Sequence, residues 1–311
     1  VAGLDVHWKP EAMMTLAKKR AMTAYIFLAL PLVFFVGVRF GPMLYAMGRS
    51  LTDWSLLRKT NQFIGLDNFK AVLSDGVFLT SLANTLTYAL VGAPIVIGLS
   101  LGIALLLNRV IHARGLFRLI YILPYITPIV AVSWVWRWMY QSPPLGILNA
   151  LFSALGLPAR DFLLSPKEAL YSILAVNIWV ELGYCTTVFL AGIQTIPTDC
   201  IEAAKIDGAT DGQVLFRIIL PLLMPVTLFL MIMQGIQFLR IFTPVYNMSS
   251  QAMGGPLDST KSAALYIYQM AFTKFEMGRA AAASLILFAL IMAVTLLQLR
   301  LFDRKATGQE R

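Results

Sequence analysis

The side chains in this sequence that could do chemistry fall into two groups. The first is a charged knot, Glu202, Lys205, Asp207 and Asp211, set between two long apolar runs. The second lies inside those runs: Asn177, Trp179, Glu181 and Tyr184 in one, Gln234, Gln237 and Phe238 in the other. Neither group reads as a catalyst. No Gly-rich loop followed by Lys and Ser or Thr occurs, so the chain cannot cradle and hydrolyse a nucleoside triphosphate. His7 and His112 are isolated, and Cys185 and Cys200 have neither metal-ligand nor disulfide spacing, so no metal or cofactor site is expected. What the second group can do is hold a solute. Amides hydrogen-bond hydroxyls, and aromatic faces such as Trp179, Tyr184, Phe238 and Tyr121 can stack on a sugar ring, although each alone is more often packing. Glu181 is costly in an apolar run and must face polar company, either solute or an interhelical partner such as Arg39. The charged knot suits docking of another protein.

These residues have to be positioned by apolar helices. Of 311 residues, 58% are hydrophobic and 13% charged, with mean hydropathy +0.73, against about 25% charged in soluble domains. The formal charge of +9 comes from clusters beside apolar runs, not from a stripe on a polar domain, which argues against a nucleic-acid partner. Six runs are long enough to cross a hydrocarbon layer as helices: about 21–48, 84–108, 116–136, 169–192, 218–239 and 280–299. The expected fold is therefore all-α, a polytopic bundle of six helices. Residues 1–20 would form a cytoplasmic segment, 21–302 the transmembrane domain and 303–311 a cytoplasmic tail. The first run, preceded by Lys18, Lys19 and Arg20, reads as an uncleaved span. With the N-terminus inside, 13 of the 25 basic residues fall on the cytoplasmic side and nine outside, crowding the inner helix ends; the expected localisation is the inner membrane with both termini cytoplasmic. Three outer loops result, near 50–80, 140–167 and 244–278. Trp54, Trp134, Trp136 and Trp138 read as an interfacial belt. Pro31, Pro42, Pro94, Pro124, Pro128, Pro221 and Pro225 each remove an intrahelical hydrogen bond, which fits kinked helices around a lumen.

The charged knot lies in a loop, 197–221, with its own local signals. Pro197 suits a helix start, and Thr198 or Asp199 can cap it. Glu202, Ala203, Ala204 and Lys205 favour helix, Gly208 allows it to end, and a second short helix beginning near Thr210 or Asp211 leads into the fifth span.

The pattern Glu202-Ala203-Ala204, Asp207-Gly208-Ala209, then Phe216, Ile218, Pro221 and Pro225 resembles the signature loop of permease subunits of binding-protein-dependent ABC importers. Phe63-Ile64-Gly65-Leu66-Asp67-Asn68-Phe69, Ile241 to Tyr246, Gly254-Gly255-Pro256 and Gly278 resemble elements of the carbohydrate and glycerol-phosphate branch. Thr243 stands where that branch often has an acidic residue. The resemblance implies that Glu202, Ala203, Ala204, Asp207, Gly208, Ala209 and Pro221 couple the chain to an ATPase. It implies as partners two ATPase subunits that hold ATP and Mg, a second permease, usually a different chain, and an extracytoplasmic solute-binding protein. The chain itself would be no enzyme but half of a translocation path for a disaccharide or oligosaccharide, working by alternating access. Glycerol 3-phosphate is the alternative solute and would need a basic group such as Arg240.

Overall fold

The computed structural model describes residues 10–58, 61–109, 114–249 and 254–307. Helix α1 (Pro10–Phe35) runs through a π-helical turn, Val36–Phe40, into α2 (Gly41–Arg49). A short α3 (Asp67–Leu73) precedes α4 (Gly76–Arg109), which is followed by α5 (Arg114–Ile126), α6 (Ile129–Met139) and α7 (Ile147–Ala154). Then come α8 (Ala169–Gln194), α9 (Thr198–Ile206), α10 (Asp211–Val214), a second π turn (Leu215–Ile219), α11 (Leu220–Leu222) and α12 (Met224–Leu239). The chain closes with α13 (Thr243–Met248), α14 (Ala263–Tyr268) and α15 (Met277–Thr307). The architecture is all-α. Thr52 and Phe63 form an isolated antiparallel bridge.

Five helical stretches are long and apolar enough to cross a membrane: Lys18–Arg49, Gly76–Asn108, Ala169–Gln194, Met224–Met248 and Met277–Leu301. They cover five of the six expected runs, with shifted ends. The second starts at Gly76 rather than near residue 84, and helix already begins at Pro10 within the segment expected to precede the first span. The third expected run is not one continuous helix. It breaks between Ile126 and Ile129 with a bend of 95°, so it counts as a sixth span only if both limbs are taken together. The cause is Pro128. It lacks an N–H for the ladder and drives the preceding residue, Thr127, out of helical geometry. Other prolines matter less than the sequence implied. Pro42, Pro221 and Pro225 sit in the first turns of α2, α11 and α12, where a missing N–H goes unfelt, while Pro31, Pro94 and Pro124 lie inside helices.

The core forms where α8 lies between α4, α5 and α12. Tyr88, Val96, Ile173, Val176, Cys185, Phe189, Leu230 and Phe238 are fully buried there. With lipid as apolar as any core, close backbone approach is what holds such helices together. Gly183 supplies it on α8: a β-carbon there would stand 2.6 Å from the Tyr121 carbonyl oxygen and 3.2 Å from Ile122 Cα, so any larger residue must push α5 away. Span one stands apart. Its apolar window has no buried residue, and its contacts with the bundle lie at its end, through α2 against α15.

The end of the bundle opposite α9 and α10 is built by side chains reaching across loops. Asn68 is buried and donates to the carbonyls of Ser50 and Thr52, each at 2.8 Å, while the Gly278 amide donates to Trp54 O at 2.9 Å. Four residues on or before α4 hold down 258–266: Asn84 donates to Asp258 O (2.9 Å) and Lys261 O (3.1 Å), Tyr88 to Thr260 O (3.2 Å), Thr85 accepts from Ala263 N (2.8 Å), and Asp75 accepts from Tyr266 Oη (2.7 Å). Partial burial opposes the Asp75 charge. The hydrogen bonds from Tyr266 and from the amides of Val77 and Phe78, with Lys274 nearby, outweigh it and hold the carboxyl below the usual carboxylate range.

Candidate functional site

A cavity of about 480 Å³ opens where the broken span meets the middle of α8 and the end of α12. Tyr125, Ile126, Thr127, Pro128 and Ile129 form one wall, Asn177, Val180 and Glu181 a second, and Gln237 with Arg240 to Pro244 a third. Its size lies within the range of ~300–1,000 Å³ usual for small-molecule sites. Non-helical backbone at membrane depth is tolerated where it faces a cavity, and the Thr127–Pro128 break does so. The bend is therefore what opens the site, and Pro128 is the residue that makes it.

Glu181 sits midway along α8 and is only 6% exposed. Its carboxylate accepts from Gln234 Nε2 at 3.0 Å and from Gln237 Nε2 at 3.4 Å. Among the described residues it makes no ion pair with Arg39 or any other cation, which corrects the Arg39 pairing considered above; two glutamines one helical turn apart on α12 hold it instead. A hydrogen bond to a charged group contributes about 1.5–3 kcal/mol, and an unpartnered buried charge costs more, so the triad depends on all three members. Gln234 is itself 2% exposed and its Oε1 has no partner. Asn177 makes no side-chain hydrogen bond among the described residues and faces the cavity.

Of the seven residues expected along a solute path, three line this cavity: Asn177, Glu181 and Gln237. Gln234 lies behind Glu181 as its support. Tyr184 is set back, stacked on the cavity-lining Tyr125 with centroids 5.4 Å apart. Trp179 is 41% exposed and meets Trp136 edge to face at 5.4 Å, away from the cavity lining. Phe238 is fully buried, its ring filling the space beside Gly92, where an added β-carbon would stand 2.4 Å from it; the face that could have stacked on a sugar is spent in the core. Sequence reading missed Tyr125, Thr127, Phe242 and Thr243 as lining residues. Pro128 was the available signal, since a proline in the centre of an apolar run marks backbone that only a cavity can satisfy.

A second candidate site lies at the other end of the bundle. Pro197 stands at the N-cap of α9, and neither Thr198 nor Asp199 caps the helix, contrary to expectation; Asp199 sits in the first turn, favourable to the helix dipole. Gly208 ends α9 at φ +84°. Its amide donates to Lys205 O (3.1 Å) and that of Ala209 to Ala204 O (2.9 Å), the paired closure that demands a left-handed residue. Thr210 then caps α10, with Gln213 completing a reciprocal capping box. Lys205 and Asp211 meet at 3.6 Å across the turn, an exposed pair that adds little stability but fits the two-helix geometry. Glu202, Ala203, Asp207 and Gly208 are exposed, Ala204, Ala209 and Pro221 half-buried. Ile206 is 86% and Phe216 70% exposed, so the element presents carboxylates beside bare apolar groups. Bare apolar groups rimmed by carboxylates have the composition of a surface that can dock another protein. Among the described residues, no group of three or more His, Cys, Asp or Glu side chains could hold a metal ion.

Residues 94–308 match the family model described as "Binding-protein-dependent transport system inner membrane component". The "Probable ABC transporter permease protein YesP" of Bacillus subtilis is 34% identical over 283 residues, covering 90% of each chain. The sn-glycerol-3-phosphate transport system permease protein UgpA of Agrobacterium fabrum is 30% identical, covering 90% of this chain and 94% of its own. The fold is similar to that in the crystal structure of a bacterial ABC transporter involved in the import of the acidic polysaccharide alginate, with TM-score 0.81 at 23% identity over 94% of this chain and 99% of that one. The chain belongs to the binding-protein-dependent inner-membrane transport family, as a permease subunit of an ABC importer in the carbohydrate and glycerol-phosphate branch, with ATP hydrolysis residing in a separate subunit.

Proposed function

We propose that this chain forms half of the path for a neutral disaccharide or oligosaccharide, handed over by a solute-binding protein and paired with a second, different permease chain. The observation that carries the reading is the lining of the 480 Å³ cavity. Amide, hydroxyl and phenol groups of Asn177, Gln237, Thr127, Thr243 and Tyr125 outnumber its two charges, and those charges, Glu181 and Arg240, are of opposite sign. Such a wall offers donors and acceptors to hydroxyls without a net demand for charge. In this reading both termini are cytoplasmic, Arg240 to Pro244 mark the outer end of the cavity, and α9 with α10 insert into a groove of the ATPase. Two ATPase subunits, with ATP and Mg bound, press the coupling elements together and favour the outward state that the loaded binding protein also favours; only such differential affinity shifts a population.

One observation favours a second reading. Arg240 lines the cavity and makes no ion pair among the described residues, so it is free to meet a phosphate or carboxylate. The experiment is Arg240→Gln in the complex reconstituted with its ATPase and binding protein. Uptake within about twofold of wild type supports the neutral sugar. Abolished uptake with intact assembly assigns an anionic solute, a glycerol phosphate or a uronate chain.

A further inference from the structure

A larger cavity, about 810 Å³, lies at the level where the spans Gly76–Asn108 and Ala169–Gln194 end, between the last turns of α4 and α8 and the α9–α10 element. It shares no lining residue with the 480 Å³ cavity. At 3.6 residues per turn, Ile193 and Gln194 on its wall point roughly 100–160° around α8 from Asn177 and Glu181, so it stands off the solute path. Nor is it the face expected to meet an ATPase. Thr198, Ile201 and Lys205, three and four apart on one side of α9, turn toward it, whereas Ala204 and Asp207 to Ala209 border a separate hollow of about 360 Å³.

Its walls divide by polarity. Leu105, Leu106 and Ile193 line the part within the spans, joined by Leu215 and Ile219 of the π turn; Asn108 at the end of one span, and Lys205 and Asp211 beyond the other, line the rim. Leu106 lines the cavity yet is 69% exposed, so the cavity opens sideways, at the depth where hydrocarbon meets headgroups. A slot that is apolar on its membrane side and charged at its rim fits an amphiphile. The rim charges narrow the choice. Lys205 and Asp211 meet at 3.6 Å with both side chains more than half exposed, and such a pair contributes too little to resist better partners. A headgroup with phosphate beside ammonium offers them: Lys205 Nζ donates to the phosphate, and the Asp211 carboxylate accepts from the ammonium.

We propose that this cavity holds one phospholipid with a primary-ammonium headgroup, a phosphatidylethanolamine, wedged between the α9–α10 element and the ends of α4 and α8. Its acyl chain exchanges one apolar setting for another, so selectivity comes from the headgroup. Choline, whose nitrogen has no N–H, cannot donate to Asp211, and phosphatidylglycerol brings a phosphate with no cation to meet that carboxylate. The inference rests on the membrane-spanning bundle and is independent of which solute is carried.

The test uses the permease pair assembled with its ATPase, washed free of lipid in detergent and titrated with palmitoyl-oleoyl phosphatidylethanolamine, phosphatidylcholine or phosphatidylglycerol. Native mass spectrometry counts the lipid bound to the intact complex. Wild type should keep one phosphatidylethanolamine per copy of this chain, about threefold more tightly than either other lipid, the scale of one exposed charged contact. Gly102→Phe and Ile201→Trp fill the cavity from α4 and from α9, and each should release the lipid; a β-carbon at Gly102 meets nothing within 4 Å, so the chain itself admits the larger residue. Leu99→Phe, on the same helix but off the lining, should keep it. Asp211→Asn should still bind lipid but lose the preference over phosphatidylcholine. Wild-type retention in both filled variants overturns the site, as does equal retention of all three lipids, the mark of an unselective annulus. Strongest retention of phosphatidylglycerol overturns the headgroup match. A lipid held by the permease pair alone and expelled when the ATPase binds gives the cavity to the ATPase and overturns the proposal too.

Discussion

Gly208 is the position at which a single side chain should separate coupling from folding. It sits at φ +84°, and a β-carbon there would meet nothing within 4 Å. Substitution therefore brings no clash within the chain, and its whole cost is backbone strain. For an L-residue held in left-handed geometry that is roughly 1–2 kcal/mol, more for a β-branched side chain and less for Asn, whose short polar group tolerates the region. Since each 1.4 kcal/mol is tenfold, Gly208→Ala should lower the closed-to-open ratio of the α9–α10 turn about tenfold, and affinity for the ATPase should fall with the closed fraction, by up to about tenfold. Gly208→Val should lose more, and Gly208→Asn should retain most of the wild-type affinity. The assay is titration of the purified ATPase subunit onto the permease pair in nanodiscs, alongside thermal unfolding of the pair alone. Unfolding should hardly shift, because the element is exposed and lies at the end of the bundle. Equal binding by Val, Asn and wild type would refute the reasoning, and equal weakening by Asn and Val would show that bulk in the partner's groove, not backbone geometry, sets the effect.

Three further outcomes follow from named contacts. Glu181→Leu removes the acceptor for Gln234 and Gln237 and should destabilise the chain by about 1–3 kcal/mol in a detergent unfolding series, while Glu181→Gln, which keeps an acceptor, should cost less; an unchanged midpoint for Leu would show the triad to be slack. Leu257, 88% exposed, should after replacement by Cys react with an impermeant maleimide from outside, whereas native Cys200, exposed on α9, should react only after the inner membrane is opened; the reverse order would invert the topology. Ser259 is a poorer labelling site because its hydroxyl is buried. Asp75 has a lowered pKa, so its hold on Tyr266 contributes stability above the usual carboxylate pKa and loses it only as pH falls through the lower folded value. Proteolysis of the 254–268 segment should stay flat from neutral pH to about pH 4 and rise below it, and Tyr266→Phe should raise it at neutral pH and flatten the acid rise.

Much of this was legible in the sequence because the physics involved is local. Apolar run length fixed five spans to within a few residues at most ends, and Gly208, Thr210 and the strong helix formers between 202 and 205 sufficed to draw the α9–α10 element. The start of α4 was missed because Gly76 to Ala83 mixes polar residues into helix that packs on α14, and a hydropathy reading sees only lipid-facing apolarity. The broken span was missed because a kink and a 95° bend carry the same sequence signal, one proline; which of them forms depends on whether neighbours leave a cavity at the break. Glu181 was recognised as needing polar company, but its partners come from a helix more than fifty residues away, and no periodicity on α8 reveals which face meets Gln234. Phe238 shows the converse: an aromatic beside two glutamines reads as part of a path until the glycine opposite it is known. The resemblance at Phe63 to Phe69 turns out to have a structural basis, since Asn68 in that stretch ties together the end of span one.

The most direct test of the account is uptake by proteoliposomes that hold ATP inside, with the cognate binding protein and its bound saccharide outside, prepared with and without this chain. Uptake and binding-protein-stimulated hydrolysis should both require the chain, should vanish without internal ATP, and should fall when Asn177 and Gln237 are together replaced by Leu although the ATPase stays bound. Saccharide uptake of wild-type size from vesicles lacking this chain, or undiminished in the double variant, would contradict it.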